Sequence, residues 1–448
     1  MPRFVYAQED NSTFVMFRRE KASRDRDGRR RRHWMSQREK DTVRVLRDVG
    51  LDAIVESPLD EYRYLFGPAE AYCEDIVAHI PRYGDLFIRE RRFRDLVETM
   101  KPTPTIWASG DSVTAQLHYD PSHNFHTLLS GRKDITLYPP RAWRSIPLYP
   151  SIHSAHRQMH KTEHRRPRHS AALSFSLHPG DVLYIPPYWF HLIQTAAGPS
   201  SLSRAATGAN GGGGYEETKE NESEEYQRKP RVKGAFSVTV VSPSKEEIFY
   251  GKYVLRKASF STAYFTQVEA ALSTRARLIH GVALIAALLR ELFSSDAAAI
   301  ASFLTAFTST RYPANFVEQW KGASLDCGVT LAASGLGLGE RSIRLEVVRM
   351  LERESDSDNY TLLRSTKARL TSLFSNIRDD FDGILEILLA DFIEHVIEWA
   401  FLSPSDTTYE GGRGGGGGEN RASGVKGKNP SDQAACFIVH LLTDTVHP

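Results

Sequence analysis

The sequence predicts a β-sandwich or barrel in its first half and a helical region after it. Over residues 105–193 short alternating segments are cut by Gly and Pro, the pattern of all-β domains. Later, Leu370, Leu373, Phe374, Ile377, Phe381, Ile384, Leu385 and Leu388 recur at three- and four-residue steps, which is helix periodicity. Polar, Gly-rich runs interrupt the chain at Gly211 to Gly214, inside the β region, and at Gly414 to Gly418, after the helical one.

Composition bounds the function. With 448 residues, 41% hydrophobic and 25% charged, the chain has enough length and apolar content for two domains and a large core. A net charge of +2 gives no global basic field of the kind that holds nucleic acid. Three well-separated cysteines, Cys73, Cys327 and Cys436, argue against a disulfide framework and fit a reducing compartment. There is no C-x-x-C, which weighs against a thiolate zinc site. Residues 1–11 lack the shape of a signal peptide. The most apolar helical run, 278–289, is too short to span a bilayer and contains His280. The expectation is an intracellular protein, nuclear or cytoplasmic, with no membrane partner.

Taken in order, residues 4–6 and 13–17 read as short strands around Glu9-Asp10-Asn11-Ser12. The basic stretch 18–40, with Arg29, Arg30, Arg31 and Arg32 in a row, reads as a solvated loop. A nuclear import signal or an RNA contact are the sharper alternatives, the latter weakened by Glu20, Asp25 and Asp27. Val43, Leu46 and Val49 before Gly50 predict a helix over 41–49. Tyr62, Tyr64 and Phe66 alternate in a strand over 61–66, and 69–80 reads as a helix stopped by Pro81.

In the β region, 124–129 alternates to Ser130-Gly131, with 133–138 as its hairpin partner, ending at Pro139-Pro140. Gly180-Asp181 starts 182–185, Pro186-Pro187 interrupts, and 188–194 continues. The polar insertion 196–234 cannot bury enough apolar surface to order itself. It is expected to be a long disordered hairpin loop, because a strand resumes over 236–241. Helices follow over 278–292, 296–307, 342–351 and 368–401, serving as a helical core or a homodimer face. The expected domains are thus 1–255, a helical domain 256–402, a Gly-rich linker 403–430 and a terminal helix within 431–448.

The chemistry centres on His118-Tyr119-Asp120 with His191 far downstream. On a strand, residues two apart point to one face, so His118 and Asp120 can act together and a histidine from another strand can complete a cluster. Two histidines and a carboxylate with open positions are the ligand set of non-haem Fe(II) oxygenases. By itself this motif is weak among 16 histidines.

Its surroundings make it specific. Leu117-His118-Tyr119-Asp120 with Asn124-Phe125, then Gly131-Arg132-Lys133 and Leu137-Tyr138-Pro139-Pro140, resembles the JmjC (cupin-like) family of Fe(II)- and 2-oxoglutarate-dependent oxygenases. So does the block from Gly180-Asp181-Val182 to Tyr188-Trp189-Phe190-His191. The asparaginyl-hydroxylase-like branch is the nearest in kind, and Leu148-Tyr149-Pro150 with His153 and His156 resembles a loop of that branch.

The resemblance implies a double-stranded β-helix (jelly roll) with flanking helices and an α-helical C-terminal region. It implies Fe(II) held by His118, Asp120 and His191, with 2-oxoglutarate and O2 as co-substrates and hydroxylation as the reaction. Lys133 resembles the lysine that pairs with the far carboxylate of 2-oxoglutarate. A continuous strand from His118 places Asn124 and His126 inside the pocket, where His126 either hydrogen-bonds the co-substrate or packs. Trp189 is expected to wall the metal site. Ala115 stands where some relatives have Thr, and Val241 lies in the last strand, where many relatives have Asn. Of His153, His156, His160, His164 and His169, the reading is a polar loop over the pocket mouth rather than a second metal site. A protein side chain is the implied substrate. A tRNA base or a histone methyl-lysine are the alternatives, and a non-catalytic JmjC-like binding protein is the alternative of another class.

Overall fold

The structure is a computed structural model that describes residues 4–8, 13–14, 44–47, 62–69, 103–151, 155–160, 171–196, 234–251, 274–312, 358–375, 377 and 383–402. Its contacts divide the chain into two units, Met1–Pro139 with Arg157–Ile248, and Pro140–His156 with Phe249–Pro448.

The first unit is built of strands: β1 (Phe4–Gln8), β2 (Thr13–Phe14), β3 (Arg44–Arg47), β4 (Tyr62–Pro68), β5 (Thr103–Ser109) and β6 (Thr114–Tyr119). Then come β7 (His123–Ser130), β8 (Lys133–Tyr138), β9 (Leu173–Leu177), β10 (Val182–Ile185), β11 (Phe190–Thr195) and β12 (Ala235–Ser242). They form a seven-stranded sheet, β10-β7-β12-β5-β4-β1-β3, and a five-stranded one, β2-β6-β11-β8-β9. The eight strands β5 to β12 split four and four between the sheets in the order of a jelly roll.

Alternation drives this packing. Along β7, Asn124, His126 and Leu128 are buried while His123, Phe125 and Thr127 are not, as a pleated strand with one face on a core requires. Leu128, Ile185 and Ala235 of the first sheet share one buried cluster with Ile135, Leu137 and Leu177 of the second, so the sheets face each other.

Several expectations are corrected. β7 and β8 are not a hairpin: β7 pairs with β10 and β12, and β8 pairs with β9 and β11. The turn between them carries the chain from one sheet to the other. Gly131 makes it possible, with φ +83° and room for no side chain, since a Cβ there would lie 2.2 Å from the Gly234 carbonyl oxygen. The stretch 196–234 likewise joins strands of different sheets rather than closing a hairpin. β6 and β7 are not one strand either. They belong to opposite sheets, yet Asn124 and His126 still face inward.

The predicted helix over 41–49 contains β3, which pairs antiparallel with β1 (Phe4 opposite Arg47). A short apolar run fits either period, and the free edge of β1 decides it. The insertion 197–233, the basic stretch 18–40, the helices over 70–80 and 342–351, the linker 403–430 and the terminal helix lie outside the described residues.

The second unit contains α1 (Thr274–Leu292), α2 (Ala297–Arg311), α3 (Asp358–Ser375) and α4 (Ile384–Leu402). The single run expected over 368–401 is two helices. Gly383, at φ +100°, stands just before α4, where a Cβ would lie 2.5 Å from the Arg141 amide nitrogen. Asp296 caps α2, accepting from the amides of Ala298 and Ala299 at 2.9 and 3.1 Å. The excursion after β8 belongs to this unit: buried Trp143 donates from Nε1 to Glu386 Oε2 at 2.8 Å. Arg311, fully buried, holds Asp391 Oδ1 at 3.0 Å through Nη2 and donates from Nη1 to the Tyr149 carbonyl at 3.3 Å. Among the described residues no helix is long and apolar enough to cross a membrane.

Two stability predictions follow from this packing. Gly131→Ala should destabilise by about 2 kcal/mol or more, from backbone strain and clash together, read as a lowered urea midpoint. Arg311→Met should cost about 3 kcal/mol by leaving Asp391 without its cation. Adding Asp391→Leu should recover part of that loss, and a double variant no more stable than the single one would contradict the account.

Candidate metal and co-substrate site

The site is made where β6 and β11 lie side by side. His118 sits directly opposite His191 in the ladder, and their rings are 4.1 Å apart between centroids. The pairing shifts register between His191 and Ile193, a bulge of the kind that re-aims side chains next to functional sites. Asp120 follows β6 in the turn to β7. Tyr188 fixes that turn: its amide donates to the Asp120 carbonyl at 2.7 Å. Tyr188 does so from a left-handed conformation, φ 62°, which costs energy for a non-glycine residue and persists only where its surroundings enforce it. Its ring stacks on Tyr119 at 5.8 Å.

One potential ligand atom from each of His118, Asp120 and His191 lies within 4.8 Å of the others. The tautomers follow from chemistry. His118 Nδ1 is 2.7 Å from the Gln116 carbonyl and His191 Nδ1 is 3.0 Å from the Trp189 carbonyl. A carbonyl only accepts, so each Nδ1 carries the hydrogen and each Nε2 presents its lone pair. Burial, helped by the neighbouring His118, pushes His191 down to about 4, so it is neutral and able to ligate at physiological pH. His191 Nε2 is 3.8 Å from Asp120 Oδ2, and Asn124 Nδ2 donates to that oxygen at 3.0 Å.

Beyond this cluster the core turns polar. Lys133, 2% exposed, donates from Nζ to Ser237 Oγ at 2.7 Å across the two sheets, and Ser237 donates in turn to the Trp107 carbonyl at 3.4 Å. Burial pushes the Lys133 ammonium down to about 7. His126 Nδ1 is 2.7 Å from Thr239 Oγ1, its cross-strand neighbour. Ser109 and Thr195 share a hydrogen bond of 2.6 Å. The Asn124 Oδ1 and His126 Nε2 atoms are buried without a hydrogen-bond partner among the described residues. Unpaired polar atoms in a core are costly, so a row of them marks a place built for a polar occupant.

The structure thus brings His118, Asp120, His191, Asn124, His126 and Lys133 into the space between the sheets. Trp189 gives His191 a main-chain oxygen, while its ring packs against the apolar cluster around Leu128 and Ile135. Ala115 packs with Tyr64 and Val113, and Val241 is the cross-strand neighbour of Asn124. Of the histidine-rich loop, His153, His164 and His169 lie outside the described residues. Residues 157–160 run alongside β6, the Met159 amide donating to the Leu117 carbonyl at 2.7 Å, and His160 is 1% exposed. This part is buried structure rather than a cover over the mouth.

Sequence reasoning missed Ser237, Thr239 and Tyr64. The first two alternate with valines in β12, a strand otherwise read as apolar. Tyr64 lies close enough to Asp120 that the carboxylate, after burial, helps hold its phenol above the usual range.

A sandwich of two four-stranded jelly-roll sheets defines a cupin-type fold, and here it carries two histidines and an aspartate that could hold a metal ion. A family model described as "Cupin-like domain" matches residues 7–206. The chain is 34% identical over 98 residues to "Lysine-specific demethylase JMJ31" of Arabidopsis thaliana, covering 20% of this chain and 18% of the relative. It is 33% identical over 107 residues to "JmjC domain-containing protein D" of Dictyostelium discoideum, covering 21% and 23%. It therefore spans about a fifth of the length of these curated relatives. A solved structure of YcfD, a ribosomal oxygenase from Escherichia coli in complex with cobalt and 2-oxoglutarate, aligns at 13% identity. That alignment covers 61% of this chain and 46% of that one, with a TM-score of 0.25, too slight to bear on the site. These matches show that residues 7–206 are similar to cupin-like domains, and that about a hundred residues of the chain are similar to two proteins of the JmjC kind.

The buried cation yields a test. Replacing Lys133 by Met removes a charge that the fold must desolvate, so ligand-free Lys133→Met should melt roughly 2–4 °C higher than the parent. The folded ammonium titrates near 7 against 10.5 for a free lysine. The penalty is therefore full below pH 7 and fades as the pH rises toward 10.5. Between pH 7 and 10 the parent should gain stability relative to the variant; equal pH profiles would contradict the burial of this charge.

Proposed function

We propose that this protein is an Fe(II)- and 2-oxoglutarate-dependent oxygenase that hydroxylates a protein side chain. The observation that carries the reading is the pairing of two features in one interior: the Nε2 atoms of His118 and His191, left free by their Nδ1 hydrogen bonds, beside Asp120, and the buried Lys133. The first set suits a divalent iron with positions left open. The second suits the remote carboxylate of a dianionic acid. Asn124 Oδ1, buried without a partner among the described residues, is a further polar atom that an occupant would satisfy.

In this reading His118, Asp120 and His191 hold the iron, and Asn124 steadies Asp120 through its 3.0 Å hydrogen bond. The Gln116 and Trp189 carbonyls keep the two imidazoles in the ligating tautomer. Lys133, braced by Ser237, pairs with the far carboxylate. The apolar cluster around Leu128 and Ile135, with Trp189 against it, keeps water from the space between the sheets. When bound, iron and 2-oxoglutarate supply the oxidation, in which O2 is consumed, the keto acid leaves as succinate and CO2, and one oxygen atom enters a substrate C–H bond.

A protein side chain is chosen by analogy with the family branch that the motifs resemble. Removal of an N-methyl group from lysine is the second reading, favoured by the name of the Arabidopsis relative. The two differ in product: hydroxylation leaves one added oxygen, whereas demethylation loses a methyl group and releases formaldehyde.

Purified protein with Fe(II), ascorbate, 2-oxoglutarate and extract from the same cells should release succinate. Mass spectrometry of the extract proteins then separates the two products. His118→Ala should lower iron affinity at least about 100-fold and bring succinate to background. Lys133→Ala should weaken 2-oxoglutarate about 10- to 100-fold with iron binding kept. No succinate together with no metal-dependent 2-oxoglutarate binding by the parent would refute the oxygenase reading and leave a non-catalytic binding protein.

A further inference from the structure

Sheet-facing side chains form a polar row from the metal cluster to Lys133. Asn124 of β7 bonds Asp120 at one end, and Ser237 of β12 bonds Lys133 at the other. Between them, on adjacent strands and directly opposite one another, stand His126 and Thr239. His126 is 3% exposed and Thr239 5%. The imidazole lies close enough to both Lys133 and His191 for each to disfavour its protonation, after burial itself. His126 is therefore neutral and has one donor and one acceptor. Its Nδ1 is taken up by Thr239 Oγ1 at 2.7 Å, and its Nε2 is buried with no partner among the described residues.

A histidine used only as packing would have been served as well by an apolar ring, without the cost of a buried orphan nitrogen. We propose that His126 is a recognition residue for the far carboxylate of the co-substrate, donating from Nε2–H to the same anionic group that Lys133 pairs. Thr239 is its positioning residue. When the threonine hydroxyl donates to Nδ1, the hydrogen is placed on Nε2 and the imidazole becomes a donor toward the anion. The assignment rests on the 2-oxoglutarate reading of the site and refines it: Lys133 supplies charge, and His126 supplies a directional bond that selects a dicarboxylate.

The test uses the full chain loaded with Mn(II), which replaces iron without turnover, and reads ligand binding by calorimetry. Two keto acids of equal chain length are compared: 2-oxoglutarate, and 2-oxovalerate, which lacks the far carboxylate. His126→Leu should weaken 2-oxoglutarate about 10- to 100-fold and leave 2-oxovalerate within about twofold. His126→Gln, which keeps a donor, should recover most of the loss, and Thr239→Val should weaken 2-oxoglutarate several-fold with the imidazole still present. Mn(II) affinity close to that of the parent shows that each variant is folded at the site. Unchanged 2-oxoglutarate affinity in His126→Leu overturns the proposal, and so does an equal loss for both keto acids, which would place His126 at the metal end or in packing. If the parent itself binds no 2-oxoglutarate with Mn(II) present, the co-substrate reading falls first, and this assignment with it.

Discussion

A lysine ammonium buried between two β-sheets, its hydrogen bond among the described residues going to one serine hydroxyl, is the constraint on which the rest of this domain depends. Taking a charge out of water costs several kcal/mol unless an opposite charge comes with it. Among the described residues no carboxylate bonds to Lys133, and in the proposed reading a bound acid brings the counter-charge. The polar atoms lining the same interior follow suit. Ser237, Thr239, His126 and Asn124 occupy inward positions where a sandwich normally places Val or Leu, and two of their atoms lack partners among the described residues. In the proposed reading, the core exchanges stability for affinity toward an acid.

The jelly-roll path is what makes this interior possible. Between β5 and β12 the chain changes sheet at every connection but the one from β8 to β9. Residues near in sequence, such as Asn124 and Lys133, therefore lie in opposite sheets, while residues far apart, such as His118 and His191, become direct cross-strand neighbours. The crossings need particular backbone: Gly131 where no side chain fits, and Tyr188 held in a left-handed conformation where its amide ties the Asp120 turn to the start of β11. Preorganisation of the three metal-ligand candidates is thus a property of turns and main-chain oxygens as much as of the side chains themselves.

Much of this was legible in the chain. The blocks around His118, Lys133 and His191 carried the resemblance to the JmjC family, and period-two alternation put Asn124 and His126 on the inward face even though the assumed continuous strand does not exist. Pairing was not legible. Ser130-Gly131 reads equally well as a hairpin turn or as a crossing between sheets, because local turn chemistry does not say which sheet the next strand joins. The run over 41–49 was ambiguous for a related reason: four residues add themselves to whichever edge is open. Ser237 and Thr239 were overlooked because nothing local separates a pocket-lining hydroxyl from an outward one.

By itself the sequence determined the alternation, the turn positions and the types of ligating and charged groups, since these are set by neighbours along the chain. Only the tertiary structure decided which strands share a sheet, which nitrogen of each histidine is left to ligate, and that Lys133 and His126 are buried together. Those outcomes depend on contacts between residues more than a hundred positions apart, such as His126 with Thr239 and Lys133 with Ser237. Burial, which lowers the lysine and silences the histidine as a base, exists only once both sheets have closed over them.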